Sequence, residues 1–303
     1  MSKRILVIGK NGQLGMSFLK VISENTMKPK VGNWDFSYIA RDELDLSNLK
    51  KIKEFFQRPI FSGIINCAAY TSVDKAESDI ELADKINHLA VAQLAEVAKN
   101  QNIPLIHIST DYVFPGQQFK SYKETDKTDP QNIYGITKLK GEQSLISSGC
   151  TGAIIRTSWL YSEYGKNFVK TMLDLGKERD SISVVNDQVG SPTYAVNLAN
   201  VILAMLNKNQ SIKILNSQLN IYHFSDEGTC TWYDFAKAIF KISDMPCEVN
   251  PVETKDFPSQ AKRPNYNVMN KSKIKQHLPD FVIPHWRDSL INCLSEIKNT
   301  KNL

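Results

Sequence analysis

Residues 5–15 read Ile-Leu-Val-Ile-Gly9-Lys-Asn-Gly12-Gln-Leu-Gly15, an apolar run followed by three spaced glycines and a helical pattern. In such a turn Gly9 permits a tight bend, Gly12 lets the backbone approach a pyrophosphate, and Gly15 lets the helix pack closely on the strand. The N–H groups that open the helix then face the anion. Its place between a strand and a helix favours a dinucleotide-binding turn over an ordinary tight turn. We expect the turn to bind the cofactor through Gly9, Asn11, Gly12, Gln13, Leu14 and Gly15.

Short apolar runs alternate with amphipathic stretches through the first half of the chain. The predicted strands are 4–8, 36–40, 63–67, 105–109 and 153–158, and the predicted helices are 13–24, 46–56, 80–100 and 134–147. This alternation, with strands that are apolar throughout, is typical of a parallel sheet covered by helices on both faces. The fold class is therefore α/β, a Rossmann-type doubly wound parallel sheet with a smaller C-terminal substrate-binding lobe.

The second half is less regular and rich in proline-containing loops. We predict an NAD(P)-binding domain over residues 1–165. Residues 166–303 are predicted to form mostly the substrate-binding lobe, with a return strand near 221–224 joining the sheet.

Composition narrows the class of protein further. The chain has 303 residues, a net charge of +5 and five cysteines without the spacing of a zinc site or a disulfide framework. The basic residues do not form a patch with aromatic residues, which argues against nucleic-acid binding. No apolar run is long enough to span a membrane. The sequence therefore predicts a cytoplasmic enzyme without nucleic-acid or membrane partners.

The end of the second predicted strand bears on the choice of cofactor. An acidic residue there binds the ribose 2′-hydroxyl of NAD, whereas an arginine accommodates the 2′-phosphate of NADP. This strand ends with Arg41, followed at once by Asp42. The sequence favours NADPH and leaves NADH open.

Two Tyr-x-x-x-Lys pairs occur, and their contexts differ. Tyr134 and Lys138 share one helix face, where an ammonium favours the phenolate and makes the tyrosine a usable proton donor and acceptor. Tyr233 and Lys237 follow Thr231, which with Asp234 forms a predicted capping box. We therefore interpret the first pair as catalytic and the second as structural.

The predicted strand 105–109 ends beside two hydroxyl side chains, Ser109 and Thr110. Either one could project into the crevice at the carboxyl end of the sheet, where ligands bind in such folds. That hydroxyl would be a second hydrogen-bond donor to a substrate carbonyl oxygen. His107 is predicted to face the packed interior of the sheet.

With these features in place, the chain resembles the extended short-chain dehydrogenase/reductases, and within them the dTDP-4-dehydrorhamnose reductase family. The resemblance covers nearly the whole chain. The matching runs are Gly9-Lys-Asn-Gly12-Gln-Leu-Gly15, Asn66-Cys-Ala-Ala-Tyr-Thr-Ser-Val-Asp74-Lys-Ala-Glu77, Ser109-Thr-Asp-Tyr-Val-Phe-Pro-Gly116, Asn132-Ile-Tyr134-Gly-Ile-Thr-Lys138-Leu, Arg156-Thr-Ser-Trp159-Leu-Tyr161, Asn186-Asp-Gln-Val-Gly190-Ser-Pro-Thr193 and Arg263-Pro264.

The resemblance implies an activity and a catalytic set. The implied reaction is NAD(P)H-dependent reduction of the C4 carbonyl of dTDP-4-dehydro-L-rhamnose to dTDP-L-rhamnose. Tyr134 would donate the proton, Lys138 would hold the nicotinamide ribose and tune Tyr134, and Thr110 would bond the reacting oxygen. Two alternatives stay open: a reductase for another nucleotide-linked 4-keto-6-deoxysugar, and a non-catalytic cofactor-binding regulatory subunit.

The resemblance also implies binding residues on both sides of the reacting carbon. For the cofactor they are Arg41, Asp45, Leu46, Ala68, Ala69, Tyr70, Thr71, Tyr134 and Lys138. For the substrate they are Thr110, Trp159, Asn167 and Arg263. The planar guanidinium of Arg263 suits a diphosphate, and the ring face of Trp159 suits a sugar or a base.

A few polar positions complete the predictions. Some members of the family resemble metal-bridged dimers, but this chain has Ser17 and Val196 where those members have glutamates, so no metal is predicted and a homodimer is left open. Asp74 and Glu77 are predicted to open the long helix 80–100, where acidic residues favour its N-terminal dipole. Asn87 either bonds the backbone across a kink in that helix or is a surface residue.

Overall fold

The computed structural model describes residues 3–24, 34–57, 61–207 and 215–301. Its central feature is a six-stranded sheet in which all paired strands run parallel, in the order β10-β5-β4-β3-β1-β2. The strands are β1 Lys3–Ile8, β2 Trp34–Ile39, β3 Gly63–Asn66, β4 Leu105–Thr110, β5 Gly152–Thr157, β6 Leu160–Tyr161, β7 Ser181–Val185, β8 Val189–Gly190, β9 Thr193–Tyr194, β10 Leu219–His223, β11 Cys230–Thr231 and β12 Glu248–Val252.

Helices cover both faces of this sheet and build the smaller lobe. The α-helices are α1 Gln13–Ser23, α2 Leu49–Phe55, α3 Val73–Ala76, α4 Ile80–Asp84, α5 Ala90–Asn100, α6 Ile133–Ser148, α7 Phe168–Glu178, α8 Ala195–Asn207, α9 Trp232–Ile242, α10 Ser272–His277 and α11 Trp286–Lys301. A π-helical turn, Lys85–Leu89, joins α4 to α5.

Strand β1 shows why the apolar runs are continuous. Successive side chains point to opposite faces of a sheet. Ile5 and Val7 pack in the core under α1 and α8, and Leu6 and Ile8 pack in the core under α2, α5 and α6. Because both faces are covered from Ile5 to Ile8, every position of this buried part of the strand is apolar. The predicted doubly wound parallel sheet is confirmed.

The smaller lobe has its own aromatic core, built from α7, α9 and α11 around Phe235, Phe240 and Trp286. Its strands pair in twos: β7 with β12 and β6 with β9 in parallel, and β8 with β11 antiparallel. Strand β10 lies where the return strand was expected and pairs with β5. Helix α8 also packs on the sheet layer, against α1, so the second half contributes more than one strand to the first domain.

Two helix boundaries differ from the predicted ones for local reasons. Helix α2 begins at Leu49 rather than 46, because Asn48 caps it by accepting a hydrogen bond of 3.2 Å from the Lys51 N–H. The predicted helix 80–100 is present as α4, the π-turn and α5.

Within the described ranges, the structure contains no helix long and apolar enough to cross a membrane. All five cysteines are free thiols.

Candidate active site

One cavity of about 1410 Å³ opens at the carboxyl ends of the sheet strands and extends into the smaller lobe. Its sheet side is lined by residues that directly follow or end strands, including Gly9 after β1, Ala68 after β3 and Thr110 at the end of β4. In open α/β sheets, ligands bind at this edge, where the strand order changes direction. Here the change falls between β1 and β3.

The glycine turn has the geometry that its spacing predicts. Gly9 has a φ of +96°, and its N–H and that of Lys10 both donate to Ile39 O at 3.0 Å. A Cβ at Gly15 would lie 2.3 Å from the Gly9 carbonyl oxygen, so only glycine allows α1 to start this close to β1. Gly12 offers no side-chain cap and the first turn of α1 carries no acidic residue. The helix therefore presents unneutralised N–H groups to the cavity, which suits a pyrophosphate.

Gln13 lies in this turn, but its side chain reaches across to the smaller lobe. Its Oε1 accepts hydrogen bonds from Ser162 Oγ at 3.1 Å and from Asn167 Nδ2 at 2.9 Å. Asn167 in turn caps α7 by accepting from the Lys170 N–H at 3.1 Å. The structure places Asn167, predicted to bind substrate, at the cavity wall with its amide already engaged by protein groups. It joins the cofactor turn to the lobe.

The part of the cavity next to the end of β2 contains the residues expected to contact the adenosine. Arg41, Asp45 and Leu46 all line it. The Arg41 side chain is 72% exposed, and its Nε lies 3.3 Å from Asp45 Oδ2. Burial favours the neutral form of Asp45, but hydrogen bonds from Ser47 and Arg41 outweigh it and hold the pKa of that carboxyl below its ordinary value. Arg41 is thus an exposed cation just after β2, where an arginine accommodates a 2′-phosphate in folds of this kind.

Ala68, Ala69 and Thr71 line the cavity as expected, but Tyr70 does not. Its hydroxyl donates to Asp79 at 3.2 Å, which turns the ring away from the cavity. Its backbone is held by Asn87, which accepts from the Tyr70 N–H at 2.9 Å and donates to the Tyr70 carbonyl at 3.0 Å. The backbone-bonding alternative for Asn87 is therefore confirmed, and the π-turn places its buried side chain at this loop.

Strand alternation decides between the two hydroxyls at the end of β4. Ser109 donates to the buried carboxylate of Glu142, one turn along α6 from Lys138. Thr110 points to the other side, where its hydroxyl hydrogen-bonds with Tyr134 and donates to Asp111 at 2.9 Å. Thr110 is therefore the hydroxyl beside Tyr134, and Ser109 fixes the strand end to α6.

Tyr134 lies in the first turn of α6, which begins at Ile133. The Asn132 side chain caps this helix by accepting from the Gly135 N–H at 2.8 Å. Its ring packs edge-on against Tyr112, with ring centroids 5.6 Å apart. Burial raises the pKa of Tyr134 to about 12, while the hydrogen bond with Thr110 acts in the opposite direction. The expectation that Tyr134 titrates near neutral pH in the free protein is wrong, because burial dominates its pKa.

Lys138 is directed toward the sheet. Its Nζ donates to Ile108 O at 2.6 Å and lies 3.1 Å from Nε2 of His107. Burial lowers the pKa of Lys138 to about 8, and the Glu142 carboxylate one turn along α6 acts in the opposite direction. His107 is fully buried, as predicted, and burial together with the Lys138 charge lowers its pKa well below the usual value. The neutral ring faces the ammonium with Nε2 and the Asn66 side-chain amide with Nδ1, each at 3.1 Å.

Asp111 is a buried carboxyl that the sequence did not single out. It accepts from Thr110 Oγ at 2.9 Å and from Asn267 Nδ2 at 3.0 Å. Burial raises its pKa to about 7, although these hydrogen bonds act against the shift. Its position next to Thr110, which the resemblance implies to be catalytic, was the only sequence signal that could have identified Asp111.

Trp159 lines the substrate half of the cavity, as expected, in an unexpected orientation. Its ring stacks on that of Trp232 with centroids 3.6 Å apart and planes 12° apart. A Cβ at Gly190 would lie 2.6 Å from Trp159 Cε2, so the glycine backbone packs directly on the indole. The prediction that a ring face of Trp159 meets a sugar or base is therefore wrong, because protein covers the ring. Trp232 was missed, since no motif in its stretch points to a ligand.

Arg263 lines the cavity but is paired within the chain. Its guanidinium donates to the Asp74 carboxylate at 2.7 and 3.3 Å. Asp74 opens the short helix α3, and Glu77 accepts from the Ile133 N–H at 2.8 Å, where α6 begins. The prediction that these two acids open the long helix 80–100 is therefore wrong, because α3 ends before it.

Arg179 is a further exposed cation at the cavity wall that the sequence did not single out.

The second Tyr-x-x-x-Lys pair lies on α9 and has the structural character that its context predicts. Thr231 and Asp234 form a capping box, with Thr231 Oγ accepting from the Asp234 N–H at 3.0 Å. The Lys237 ammonium lies 5.5 Å from the centre of the Tyr233 ring. Neither residue lines the cavity.

The two positions considered for a bridging metal, Ser17 and Val196, carry a buried hydroxyl and an apolar side chain packed against the core. Ser17 is buried and donates to Gln13 O at 2.9 Å. Over the ranges that the structure describes, no group of three or more histidine, cysteine or acidic side chains is arranged to hold a metal ion.

The fold and the site together define the class of protein. An oxidoreductase of the extended short-chain dehydrogenase/reductase type combines a parallel sheet and a glycine turn with a buried set such as Thr110, Tyr134 and Lys138. A family model described as the RmlD substrate binding domain matches residues 3–299. The dTDP-4-dehydrorhamnose reductase of Aggregatibacter actinomycetemcomitans is 40% identical over 282 residues, which are 90% of this chain and 92% of that protein. The chain therefore belongs to the dTDP-4-dehydrorhamnose reductase family.

Solved structures agree with this assignment. The crystal structure of dTDP-4-dehydrorhamnose reductase from Bacillus anthracis in complex with NADP superposes with a TM-score of 0.87 at 37% identity, covering 98% of this chain and 100% of that one. The structure of the Clostridium acetobutylicum dTDP-4-dehydrorhamnose reductase gives the same TM-score and identity, covering 97% and 99%.

Proposed function

We propose that the protein reduces the C4 carbonyl of dTDP-4-dehydro-L-rhamnose to dTDP-L-rhamnose with NADPH. The observation that carries this proposal is that Thr110, Tyr134 and Lys138 lie in one cavity with the glycine turn of α1. The names of the family members support the substrate, and the NADP complex of the Bacillus anthracis relative supports the cofactor. Residues 1–165 mainly bind the cofactor in this proposal, and residues 166–303 mainly the nucleotide sugar.

The cavity fits a nicotinamide dinucleotide on its own geometry. The uncapped N-terminus of α1, with Gly12 at its start, suits the pyrophosphate, and Arg41 suits a 2′-phosphate. When bound, NADPH supplies the hydride that adds to C4 of the sugar. Lys138, whose ammonium is held at the end of β4, is the donor for the hydroxyls of the nicotinamide ribose.

Proton delivery to the carbonyl oxygen falls to Tyr134. Because burial raises its pKa to about 12, the phenol is protonated at neutral pH, as a general acid for a reduction must be. Thr110 supplies a second hydrogen bond to the same oxygen by turning its hydroxyl from Asp111 to the substrate. Lys138 stabilises the phenolate that proton donation leaves behind.

The nucleotide end of the substrate lies toward the smaller lobe in this proposal. Arg263 binds the diphosphate there, and its ion pair with Asp74 fixes the guanidinium plane beside the cavity. All these groups belong to one chain, so the reaction does not require a homodimer, which stays a prediction that sedimentation analysis would test. Five free thiols are typical of a reducing compartment, which supports a cytoplasmic location.

A mixing assay tests the function. Purified protein is combined with enzymatically made dTDP-4-dehydro-L-rhamnose and NADPH, with NADH in parallel, and nicotinamide absorbance is followed. We expect rapid loss of absorbance, and a decrease of about 10²–10⁴ in turnover for Tyr134→Phe. Tyr233→Phe, in the structural pair, is the matched control and should retain full activity.

Other outcomes would change the proposal. Turnover that survives Tyr134→Phe would exclude this tyrosine as the proton donor. If the wild-type protein binds NADPH but leaves this sugar unreduced, another nucleotide-linked 4-keto-6-deoxysugar becomes the first alternative. Failure with all such sugars would favour a non-catalytic cofactor-binding subunit.

A further inference from the structure

Two tryptophans from distant parts of the chain form a stacked pair in the cavity wall. Trp159 follows β5, and Trp232 is the first residue of α9. Their ring centroids lie 3.6 Å apart, and both residues line the cavity. Phe168, at the start of α7, packs against Trp232 at 4.6 Å. The pair therefore joins the end of the sheet to two helices of the smaller lobe.

The indole of Trp159 is enclosed on both faces. Trp232 covers one face with nearly parallel planes. A Cβ at Gly190 would lie 2.6 Å from Cε2 of Trp159, 2.7 Å from its Cζ2 and 2.9 Å from its Nε1. Because Cε2 is a ring-fusion atom, an atom closest to it must lie above the ring plane. Gly190 therefore covers the Cε2, Cζ2 and Nε1 part of the face opposite Trp232.

The backbone around Trp159 is fixed in an unfavourable conformation. Its φ of +47° lies in the left-handed region, which bulky residues rarely adopt. The Trp159 carbonyl accepts from the Thr193 N–H at 3.2 Å, and Ser158 Oγ donates to Ser191 O at 2.7 Å. Such strain persists only where surrounding contacts over-determine it. The stack on Trp232 is the aromatic contact among those that hold Trp159 in this conformation.

The edges of both rings carry an unused hydrogen-bond donor. Within the described part of the chain, neither Trp159 Nε1 nor Trp232 Nε1 donates to a protein acceptor, and neither nitrogen is sealed from the cavity. An indole N–H in an apolar wall usually finds a partner when a ligand covers it. Nucleotide sugars are rich in acceptor oxygens.

We propose that Trp232 is a positioning residue for the nucleotide sugar: by stacking on Trp159 it holds that indole edge-on, so that its N–H edge, not its face, meets an oxygen of the substrate. This inference rests on the proposed function. It assigns to α9 a part in substrate binding that its capping motif alone does not indicate.

The first test compares Trp232→Phe and Trp232→Leu with the wild type in the reductase assay. We expect KM for the nucleotide sugar to rise about three- to tenfold in Trp232→Leu, and less in Trp232→Phe, since a stacked aromatic pair accounts for up to about a tenfold change in an equilibrium constant. KM for NADPH should stay unchanged. Trp286→Phe is the matched control, because Trp286 is a buried tryptophan of the same lobe outside the cavity.

Two further variants keep the test independent of folding. Gly190→Ala pushes the Trp159 ring from the opposite face and should raise the sugar KM without touching Trp232. A double variant, Trp159→Phe with Trp232→Phe, should be no weaker than Trp159→Phe alone, because Trp232 acts through Trp159. The near-ultraviolet circular dichroism of the stacked pair should change when the sugar binds to the wild type.

The results separate this inference from the proposed function. If the wild type reduces the sugar but all Trp232 and Gly190 variants keep its KM within a factor of about two, the positioning role is wrong. Equal effects on the NADPH and sugar KM values, or effects matched by Trp286→Phe, would show general destabilisation and would also overturn it. A wild type without reductase activity would instead overturn the proposed function.

Discussion

Lys138 Nζ donates a hydrogen bond of 2.6 Å to the carbonyl oxygen of Ile108, on the strand that ends at Thr110. This bond holds the ammonium at the end of β4, where burial lowers its pKa to about 8. The charge that the proposed mechanism needs is therefore lost just above neutral pH, far below the pKa of an exposed lysine.

The first prediction is an alkaline limb in the reductase reaction. As pH rises through about 8, Lys138 becomes neutral and no longer stabilises the Tyr134 phenolate, so kcat/KM should fall. A pH profile of kcat/KM measures the midpoint. In Lys138→Arg the activity will be lower, but the limb should move to higher pH, because a guanidinium stays charged. An unchanged limb in that variant would assign the titration to another group.

A second prediction concerns the buried ion pair behind the site. Arg156 Nη2 lies 2.7 Å from Glu142 Oε2, and the two side chains are 3% and 1% exposed. Glu142→Gln leaves the Arg156 charge buried without a counterion, which should lower the free energy of unfolding by about 3–5 kcal/mol. Urea denaturation measures the change.

The matched control for that variant is an exposed pair on α2. Glu54 Oε1 lies 3.7 Å from Lys50 Nζ, with side chains 53% and 87% exposed. Glu54→Gln should change stability by less than about 1 kcal/mol, since water screens such pairs. Similar losses in both variants would mean that burial does not set the strength of the Glu142 pair.

The third prediction concerns cofactor choice. Arg41 is exposed and, among the residues that the structure describes, pairs only with Asp45, so its guanidinium can turn to a 2′-phosphate at little cost. Arg41→Ala should raise KM for NADPH about tenfold or more, as expected for loss of a hydrogen bond between charged groups, and leave KM for NADH unchanged. Arg4→Ala, which removes an exposed arginine outside the cavity, is the control. Equal changes for both cofactors would exclude Arg41 as the 2′-phosphate ligand.

Patterns within short stretches of sequence predicted the strands, the glycine turn and the capped helix, because each depends on neighbouring residues. Continuous apolar runs identified the sheet strands because both faces of the sheet are covered. The glycine spacing identified the turn because Gly9 and Gly15 occupy positions that no other residue can. The capping box at Thr231 and Asp234 separated the structural Tyr-Lys pair from the one in the cavity.

The errors concern contacts between residues far apart in sequence. Nothing near Trp159 indicates that Trp232 covers its ring, and nothing near Tyr70 indicates that Asp79 turns its hydroxyl away. The pKa of Tyr134 was misjudged for a related reason, because i, i+4 spacing implies closeness to Lys138 but says nothing about burial. The roles of Asn167 and Arg263 likewise depend on partners supplied by the fold.

The placement of β10 beside β5 also governs the order in which a growing chain can fold. Five strands of the sheet precede residue 158, but the edge of β5 stays open until His223 has left the ribosome, and the α1 side of the sheet waits for α8. An uncovered strand edge invites pairing with other chains. A fragment ending at residue 165 would therefore expose this edge, and synthesis must pass well beyond the cofactor-binding motifs before the first domain is protected from aggregation.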